Sequence, residues 1–297
     1  MDLRKISVYL ELMRAWNCMV VFVGIVVGAA LVLRRFPYDI DVLVAAISGF
    51  LITGGGNALN DYFDREIDKI NKPNRPIPSG RLSGEGAFAF STVAFFMGLV
   101  LAYHVNIVCL DIALFNTAIL LGYARYSKKM LLLANLEVAY LVSSVFLFGA
   151  FVVAVEGLKL TVSIGAPPYG FYGLLPIAIA QKRMIVVSIC AFLVALSLEV
   201  TKDIEDVKGD SSAGALTLPI KIGEKWSKLV SVFSVLGAVI LSPMPWILGL
   251  HAVYMILVIP ADALFIASQI ADPTRGRKMI SLGMGLTVLA LLLGAIL

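Results

Sequence analysis

Apolar runs of about 20 residues recur along nearly the whole chain, and they constrain its fold more than any other feature. A helix of that length crosses a hydrocarbon layer of roughly 30 Å and satisfies its own backbone hydrogen bonds. With 60% hydrophobic and 15% charged residues, the 297-residue chain carries more apolar surface than one soluble core buries. The sequence therefore predicts an all-α, polytopic membrane protein.

Hydropathy predicts nine transmembrane helices in one bundle, interpreted as two similar four-helix halves plus a ninth helix. The predicted spans cover residues 15–33, 40–60, 85–103, 107–124, 134–156, 184–201, 228–242, 246–270 and 279–297. The stretch 157–183 is rich in glycine and proline, so it is predicted to be a poor straight helix, with at most a short interfacial helix. We expect a single domain over 1–297, because no segment between spans is longer than a loop.

Lysine and arginine residues are distributed unevenly between the two sides of the predicted bundle. With the N terminus inside, 19 of the 24 basic residues are cytosolic, and the other 5 are Arg34, Arg35, Lys159, Lys182 and Arg183. This bias predicts a multi-pass protein of the cell membrane whose long loops, 61–84 and 202–227, are cytosolic. The net charge of +4 predicts no nucleic-acid partner, because the basic residues are spread through many loops.

Two acidic clusters with the same D-x2-D-x3-D spacing lie at the cytosolic ends of the second and sixth spans. They comprise Asp61, Asp64 and Asp68, and Asp203, Asp206 and Asp210, respectively. At 100° per residue, each set falls on one face of a helix, and Asn57 and Glu199 occupy matching positions before them. Like charges at the negative end of a helix need a cation, and oxygen ligands in this number suit Mg²⁺. Facing each other, the clusters are expected to hold a diphosphate through two metal ions.

Basic residues adjoin both clusters. The loop 71–81 contains three prolines, which would present Arg75 and Arg81 to a phosphate at reproducible positions. Lys128 follows the fourth span on the same side, and Lys202 immediately precedes Asp203. The pattern therefore predicts a site that binds an anionic substrate together with its metal ions.

In combination, these motifs resemble the UbiA superfamily of intramembrane prenyltransferases, over most of the chain. The resemblance rests on Asn60-Asp61-x2-Asp64-x3-Asp68, Arg75-Pro-x-Pro-x-Gly80, Asp203-x2-Asp206-x3-Asp210 and Thr217-Leu218-Pro219. It implies two Mg²⁺ ions on a polyprenyl diphosphate, held by Asn60, Asp64, Asp68, Asp203 and Asp210, with Asp61 and Asp206 in support. By the same resemblance, Asp64, Asp68, Asp203 and Asp210 are the expected catalytic residues.

The resemblance also adds residues on the substrate side. Arg14 and Asn17 match an Arg-x-x-Asn near the acceptor or the diphosphate. Tyr123 and Lys128 match a tyrosine–lysine pair, although their spacing of five departs from the family's four. The complete set of expected substrate-binding residues is Arg14, Asn17, Asn57, Arg75, Arg81, Tyr123, Lys128 and Lys202.

The segment from Glu199 to Pro219 is most similar to an archaeal branch of the superfamily, which makes an ether-lipid precursor. That similarity implies geranylgeranyl diphosphate as the donor and geranylgeranylglyceryl phosphate, a lipid-like acceptor taken from the membrane, as its partner. Leu216 departs from the branch, which often has a basic residue before Thr-Leu-Pro.

Three other functions remain open at this point. An aromatic prenyltransferase of the same superfamily would accept a hydroxybenzoate, a naphthoate, homogentisate or haem. A CDP-alcohol phosphatidyltransferase also pairs carboxylates on helices, but Arg65-Glu66-Ile67 replaces the glycine and Ala-Arg expected after its first aspartates. A cation-coupled transporter usually places its carboxylates near the bilayer midplane, whereas these lie at one boundary.

Overall fold

The computed structural model describes residues 3–127, 130–163, 171–212 and 216–297, with side chains described from 6 onward except for 156–179, 208–210 and 212. All secondary structure in these residues is helical. The helices are α1 Leu3–Leu12, α2 Ala15–Leu33, α3 Ile40–Asn71, α4 Gly84–Val105, α5 Ile107–Arg125, α6 Leu133–Ser163, α7 Phe171–Ser212, α8 Leu218–Ile222, α9 Glu224–Leu241, α10 Met244–Ile247, α11 Val253–Ser268 and α12 Pro273–Ile296. The predicted all-α class is confirmed.

Eight helical segments of the described chain are long and apolar enough to cross a membrane. They correspond to eight of the nine predicted spans. The remaining one, predicted at 246–270, corresponds to α11, which has 16 residues and would extend about 24 Å. The chain is therefore a multi-pass helical membrane protein, while a ninth crossing stays a prediction.

The predicted loops 61–84 and 202–227 begin too early. Residues 61–71 are the last turns of α3, and residues 202–212 are the last turns of α7. In α3 the helix ends only where Lys72-Pro73 follows, because nothing before that proline removes a backbone donor. Within the stretch 157–183, residues 157–163 continue α6 and residues 171–183 begin α7, while residues 164–170 lie outside the described residues, so the predicted interruption stays a prediction. Both aspartate motifs therefore lie on helices rather than on loops.

The chain forms two compact units. Unit 1 comprises Met1–Val26 and Tyr38–Lys128, and unit 2 comprises Val27–Pro37 and Lys129–Leu297. The first part of α2 belongs to unit 1 and its last turns to unit 2. The predicted single domain with two similar halves stays a prediction.

In unit 1, α3 packs through three consecutive glycines against the α1–α2 junction, α4 and α5. A methyl group on Gly54 would lie 2.6 Å from the Met13 side chain, and one on Gly56 would lie 2.9 Å from that of Leu120. Between them, Gly55 faces α4, where the Ser91 hydroxyl donates to its carbonyl at 2.8 Å. Small residues let helices approach closely in a membrane. This packing fixes α3 just before its acidic end.

In unit 2, the end of α2 crosses α6 at Gly28. A methyl group there would lie only 2.3 Å from the Phe146 carbonyl oxygen. Val27, Leu31 and Phe146 belong to one buried apolar cluster together with residues of α7, α11 and α12. Gly28 therefore allows the two helices to cross closely.

Gly28→Ala is expected to destabilise the protein by about 1–3 kcal/mol, because the added methyl group must push two helix backbones apart. The measurement is the thermal or denaturant midpoint of the purified protein in detergent. The matched control is Gly122→Ala on α5, where an added methyl group meets no atom within 4 Å. Equal midpoints for the two variants would contradict the close crossing.

Candidate active site

The first motif holds two buried carboxylates, Asp61 and Asp68, on the last turns of α3. Their residues are only 3% and 4% exposed, respectively. Arg75 Nη1 donates to Asp61 Oδ1 at 3.0 Å and to Asp68 Oδ2 at 2.6 Å. Arg14 Nη2 donates to the same Asp61 oxygen at 2.7 Å. Two carboxylates and two guanidinium groups thus form one connected network, which provides the cations that the sequence required at this helix end.

The proline loop is what brings Arg75 back onto α3. Lys72 N donates to Asp68 O at 2.8 Å and ends the helix, and Arg75 N donates to Lys72 O at 3.1 Å in the following turn. Pro76, fully buried, accepts a hydrogen bond from Leu82 N at 3.0 Å. The loop is therefore a compact, folded segment that fixes the position of one arginine. The prediction that its prolines present Arg75 reproducibly agrees with this geometry.

Arg14 reaches the same carboxylate from the junction between α1 and α2. It has a positive φ of 51°, which is uncommon for a residue other than glycine and redirects the chain between the two helices. Asn57 Nδ2 donates to Met13 O at 2.8 Å and ties this junction to α3. Asn17, three residues further along α2, is exposed. Arg14 thus lies in the acidic network, whereas the side-chain amide of Asn57 donates its hydrogen bond to a backbone carbonyl.

Asn60 and Asp64 form the more accessible part of the first motif. Asn60 Nδ2 donates to Asp64 Oδ2 at 3.2 Å, and both residues are partly exposed. Asp61 and Asp68, by contrast, are buried and paired with Arg75. The motif therefore separates into two buried, arginine-bound carboxylates and one carboxylate that is partly exposed.

Arg81 lies apart from the acidic stripe. Its guanidinium donates to both carboxylate oxygens of Glu11 on α1, at 2.6 and 2.8 Å, and to the carbonyl of Asn74. The hydrogen bond from Arg81 lowers the pKa of Glu11, and the same bond raises the pKa of Arg81. Arg81 therefore joins α1 to the proline loop, and its predicted contact with phosphate stays a prediction.

The second motif begins with Asp203 on α7. Asn135 Nδ2, buried in the first turn of α6, donates to Asp203 Oδ2 at 2.8 Å. Lys202 Nζ bonds Glu199 Oε1 at 2.6 Å, one turn back on the same helix. Asp206 is exposed, and the side chain of Asp210 lies outside the described residues. Asp203 is thus oriented by a side chain of a neighbouring helix, whereas Asp61 is held by arginines of a helix junction and a loop.

Glu205 lies between Asp203 and Asp206 but serves a different purpose. Its carboxylate pairs with Arg277 Nε at 2.8 Å and accepts from Thr274 Oγ1 at 2.9 Å, both on α12. These contacts join the ends of α7 and α12. Of the remaining predicted residues, Tyr123 lies half-buried in the last turns of α5, and Lys128 lies outside the described residues.

The oxygen donors fit the chemistry of Mg²⁺. In the described part of the chain, no three His, Cys, Asp or Glu side chains come close enough to form a metal site by themselves. Mg²⁺, however, usually takes one or two carboxylates and completes its shell with water and phosphate oxygens. Asn60, Asp64 and Asp203 offer such hard oxygen ligands at helix ends. Each of these side chains therefore has the donor chemistry that a partly hydrated Mg²⁺ requires.

Sequence reasoning missed Asn135 and the Glu205–Arg277 pair. The available signal for Asn135 was a single amide in the first turn of a largely apolar span. Its partner could not be found from the sequence, because Asn135 and Asp203 are 68 positions apart. Such buried polar contacts depend on how α6 and α7 pack.

Asn135→Ala is expected to raise the Mg²⁺ concentration needed for half-maximal activity about tenfold or more, because groups that orient a metal ligand have effects of this size. The measurement is a Mg²⁺ titration of the initial rate. Ser143→Ala is the matched control. The Ser143 hydroxyl donates to Tyr140 O at 2.8 Å on the same helix, away from the motif. An unchanged Mg²⁺ requirement in Asn135→Ala would mean that Asn135 does not position Asp203.

Comparison with known proteins finds relatives over nearly the full length of the chain. A relative from Methanosarcina mazei named digeranylgeranylglyceryl phosphate synthase is 37% identical, with 97% of this chain and 98% of the relative covered. A solved structure concerned with digeranylgeranylglyceryl phosphate synthase in membranes is 35% identical, with a TM-score of 0.77 and 98% and 99% of the two chains covered.

A UbiA homologue from Archaeoglobus fulgidus, solved with GPP and Mg²⁺, is 14% identical over 97% of this chain and 98% of its own, with a TM-score of 0.63. That likeness shows the common fold. Residues 21–295 of this chain match the UbiA prenyltransferase family. The predicted resemblance is thus confirmed, and the chain belongs to the UbiA prenyltransferase family.

Proposed function

We propose that this prenyltransferase transfers a geranylgeranyl group from geranylgeranyl diphosphate to geranylgeranylglyceryl phosphate. The reaction class follows from the family. The substrate pair is supported by 37% identity, over nearly the full length of both chains, to a digeranylgeranylglyceryl phosphate synthase. The observation that carries the proposal is the first motif, in which Arg14, Arg75 and the α3 carboxylates form a charged network beside the open Asn60–Asp64 pair.

Breaking the donor's allylic carbon–oxygen bond leaves negative charge on the diphosphate and positive charge on the allyl group. When bound, Mg²⁺ neutralises the charge on the departing diphosphate. Asn60, Asp64, Asp68, Asp203 and Asp210 would hold two ions, with Asp61 and Asp206 in support. Arg14 and Arg75 add fixed positive charge to the same helix end, which favours the anionic substrate.

The acceptor hydroxyl then forms a new ether bond with the allylic carbon and loses its proton. Water would compete with this hydroxyl for the allyl cation, so the reaction needs a dry environment. The apolar membrane-spanning helices supply such surroundings, and both substrates carry prenyl chains that dissolve in the bilayer. Residues expected near the substrates are Asn17, Asn57, Arg81, Tyr123, Lys128 and Lys202, in addition to the two arginines.

The protein is proposed to lie in the cell membrane with its N terminus and both motifs in the cytosol. The support is the distribution of 19 of 24 basic residues on that side.

The deciding experiment offers geranylgeranyl diphosphate and Mg²⁺ to the purified protein with one of two acceptors. We expect a diether phosphate product with geranylgeranylglyceryl phosphate, no product with 4-hydroxybenzoate, and loss of activity when EDTA removes the metal. Turnover of the aromatic acid alone would replace this proposal with the aromatic alternative. Ion flux through vesicles without any prenyl transfer would instead favour the transporter.

A further inference from the structure

Arg183 on α7 is a buried guanidinium whose charge the described structure does not balance. The residue is 5% exposed. Among the described residues, its Nε and Nη1 atoms have no hydrogen-bond partner. Burying a charge without a partner costs several kcal/mol, which proteins avoid unless something else supplies the partner. The Nη2 atom is not among these buried atoms without a partner.

A second arginine lies beside it in unit 2. Arg34 follows α2 directly and has a positive φ of 58°, and its guanidinium donates to the Gly249 carbonyl. The like charges of Arg34 and Arg183 lie close enough to repel each other. Val187, one turn after Arg183, and Leu31, one turn before Arg34, belong to the same buried cluster. The packing therefore holds two cations close together, although their electrostatic energy would be lower if they were apart.

The position of Arg183 along α7 indicates where this arginine pair lies relative to the membrane. Arg183 precedes Asp203 by 20 residues on one continuous helix, which separates them by about 30 Å. That distance equals the thickness of the hydrocarbon layer, so the two residues lie at opposite membrane boundaries. The arginine pair therefore sits at the headgroup level remote from the aspartate motifs, where lipid phosphates are concentrated.

We propose that Arg34 and Arg183 form a binding site for a phosphate anion at this boundary, distinct from the catalytic centre. A guanidinium presents several donors in a fixed plane that matches phosphate oxygens, and charge-assisted bonds of this kind are the strong ones. One phosphate between the two groups would relieve their repulsion and satisfy the buried donors. The phosphate can belong to a lipid headgroup or to free phosphate in solution.

The test measures binding and stability of the full-length protein in neutral maltoside micelles. Three ligands are titrated separately: short-chain phosphatidic acid, the matching neutral diacylglycerol and inorganic phosphate. For each ligand we would measure the unfolding midpoint of the protein and, by native mass spectrometry, the amount of ligand bound. The variants are Arg183→Gln and Arg34→Gln. Lys182→Gln is the matched control, because it removes the same charge from an exposed neighbour on α7.

We expect Arg183→Gln to weaken phosphate binding about tenfold, which corresponds to one lost charge-assisted bond. Arg34→Gln should also weaken it, and Lys182→Gln should change it less than twofold. Without phosphate, Arg183→Gln should raise the unfolding midpoint, because an unbalanced buried charge has gone. Stabilisation by phosphatidic acid alone assigns the site to a lipid, and equal stabilisation by inorganic phosphate assigns it to a soluble anion.

One specific result would overturn the site. Glu156 precedes the 157–183 segment in the sequence, and its side chain lies outside the described residues. If Arg183→Gln and Glu156→Gln both lowered the midpoint, and phosphate binding in both equalled that of the unchanged protein, Glu156 would be the partner of Arg183. Arg34→Gln keeps the test decisive should Arg183→Gln fail to fold, because Arg34 is exposed: unchanged phosphate binding in that variant would also reject the proposal.

Discussion

Replacing Asp64 with asparagine is expected to lower the rate of prenyl transfer about a hundred- to a thousandfold, because transition-state charge stabilisation by one group is worth that much. Asp64 is the partly exposed carboxylate of the first motif, whereas Asp61 and Asp68 are buried against Arg75. The amide keeps the size of the side chain and one oxygen but removes the negative charge that attracts Mg²⁺. The measurement is the initial rate at saturating donor and acceptor over a range of Mg²⁺ concentrations.

The matched control is Glu66→Gln, which removes a carboxylate two positions away on the same helix. Glu66 is exposed and pairs with Lys69 at 2.8 Å, on the solvent side of α3. Its rate should stay within about twofold of the unchanged protein, since exposed ion pairs of this kind contribute little. Equal losses in Asp64→Asn and Glu66→Gln would indicate a general effect of charge and remove Asp64 from the metal site.

The two motifs can be tested for joint action with the same assay. Asp203→Asn alone should cause a loss similar to that of Asp64→Asn. If both carboxylates act on one diphosphate, the double variant should be hardly slower than the slower single variant, because residues that act as a unit are not additive. Losses that multiply in the double variant would mean that the motifs contribute independently, and the proposed shared substrate would have to be abandoned.

The sequence predicted the helical spans because hydrophobic length alone determines where a chain can cross a bilayer. It failed at the ends of those helices. Residues 61–71 carry charges and therefore look like a loop by hydropathy, yet their i, i+3 and i+4 spacing is also that of a helix face. The helical phase of the aspartates was better evidence for α3 than the fall in hydropathy at residue 60.

Contacts of the site were predictable only where they are local. The proline loop indicated that Arg75 would be fixed, but not that it would bind Asp61 and Asp68, 14 and 7 positions earlier. Arg81 pairs with Glu11, 70 positions away, and the sequence did not indicate that contact either. Which of two nearby arginines turns toward the acidic face depends on the backbone path of the loop, and composition does not encode that path.

Arg75→Gln is expected to destabilise the protein by about 3–5 kcal/mol, the usual effect of leaving buried charges without their partner. One Arg75 nitrogen serves two carboxylates whose side chains are only 4% and 6% exposed, so its loss leaves both short of a cation. Arg14 would still bind Asp61 at 2.7 Å. We therefore expect the unbalanced charge of Asp68 to account for most of the lost stability. The measurement is the free energy of unfolding in detergent, compared with Arg81→Gln, whose exposed pair with Glu11 should contribute at most about 1 kcal/mol.

A double-mutant cycle distinguishes charge balance from simple loss of packing around Arg75. Adding Asp68→Asn to Arg75→Gln should restore part of the stability, with a coupling energy of about 2 kcal/mol, because the carboxylate that lacked a partner is then neutral. Packing losses would instead add, and the double variant would be the least stable of the set. The same cycle bears on function, because Arg75 is the cation that contacts both Asp61 and Asp68 at the end of α3, where Mg²⁺ is proposed to bind.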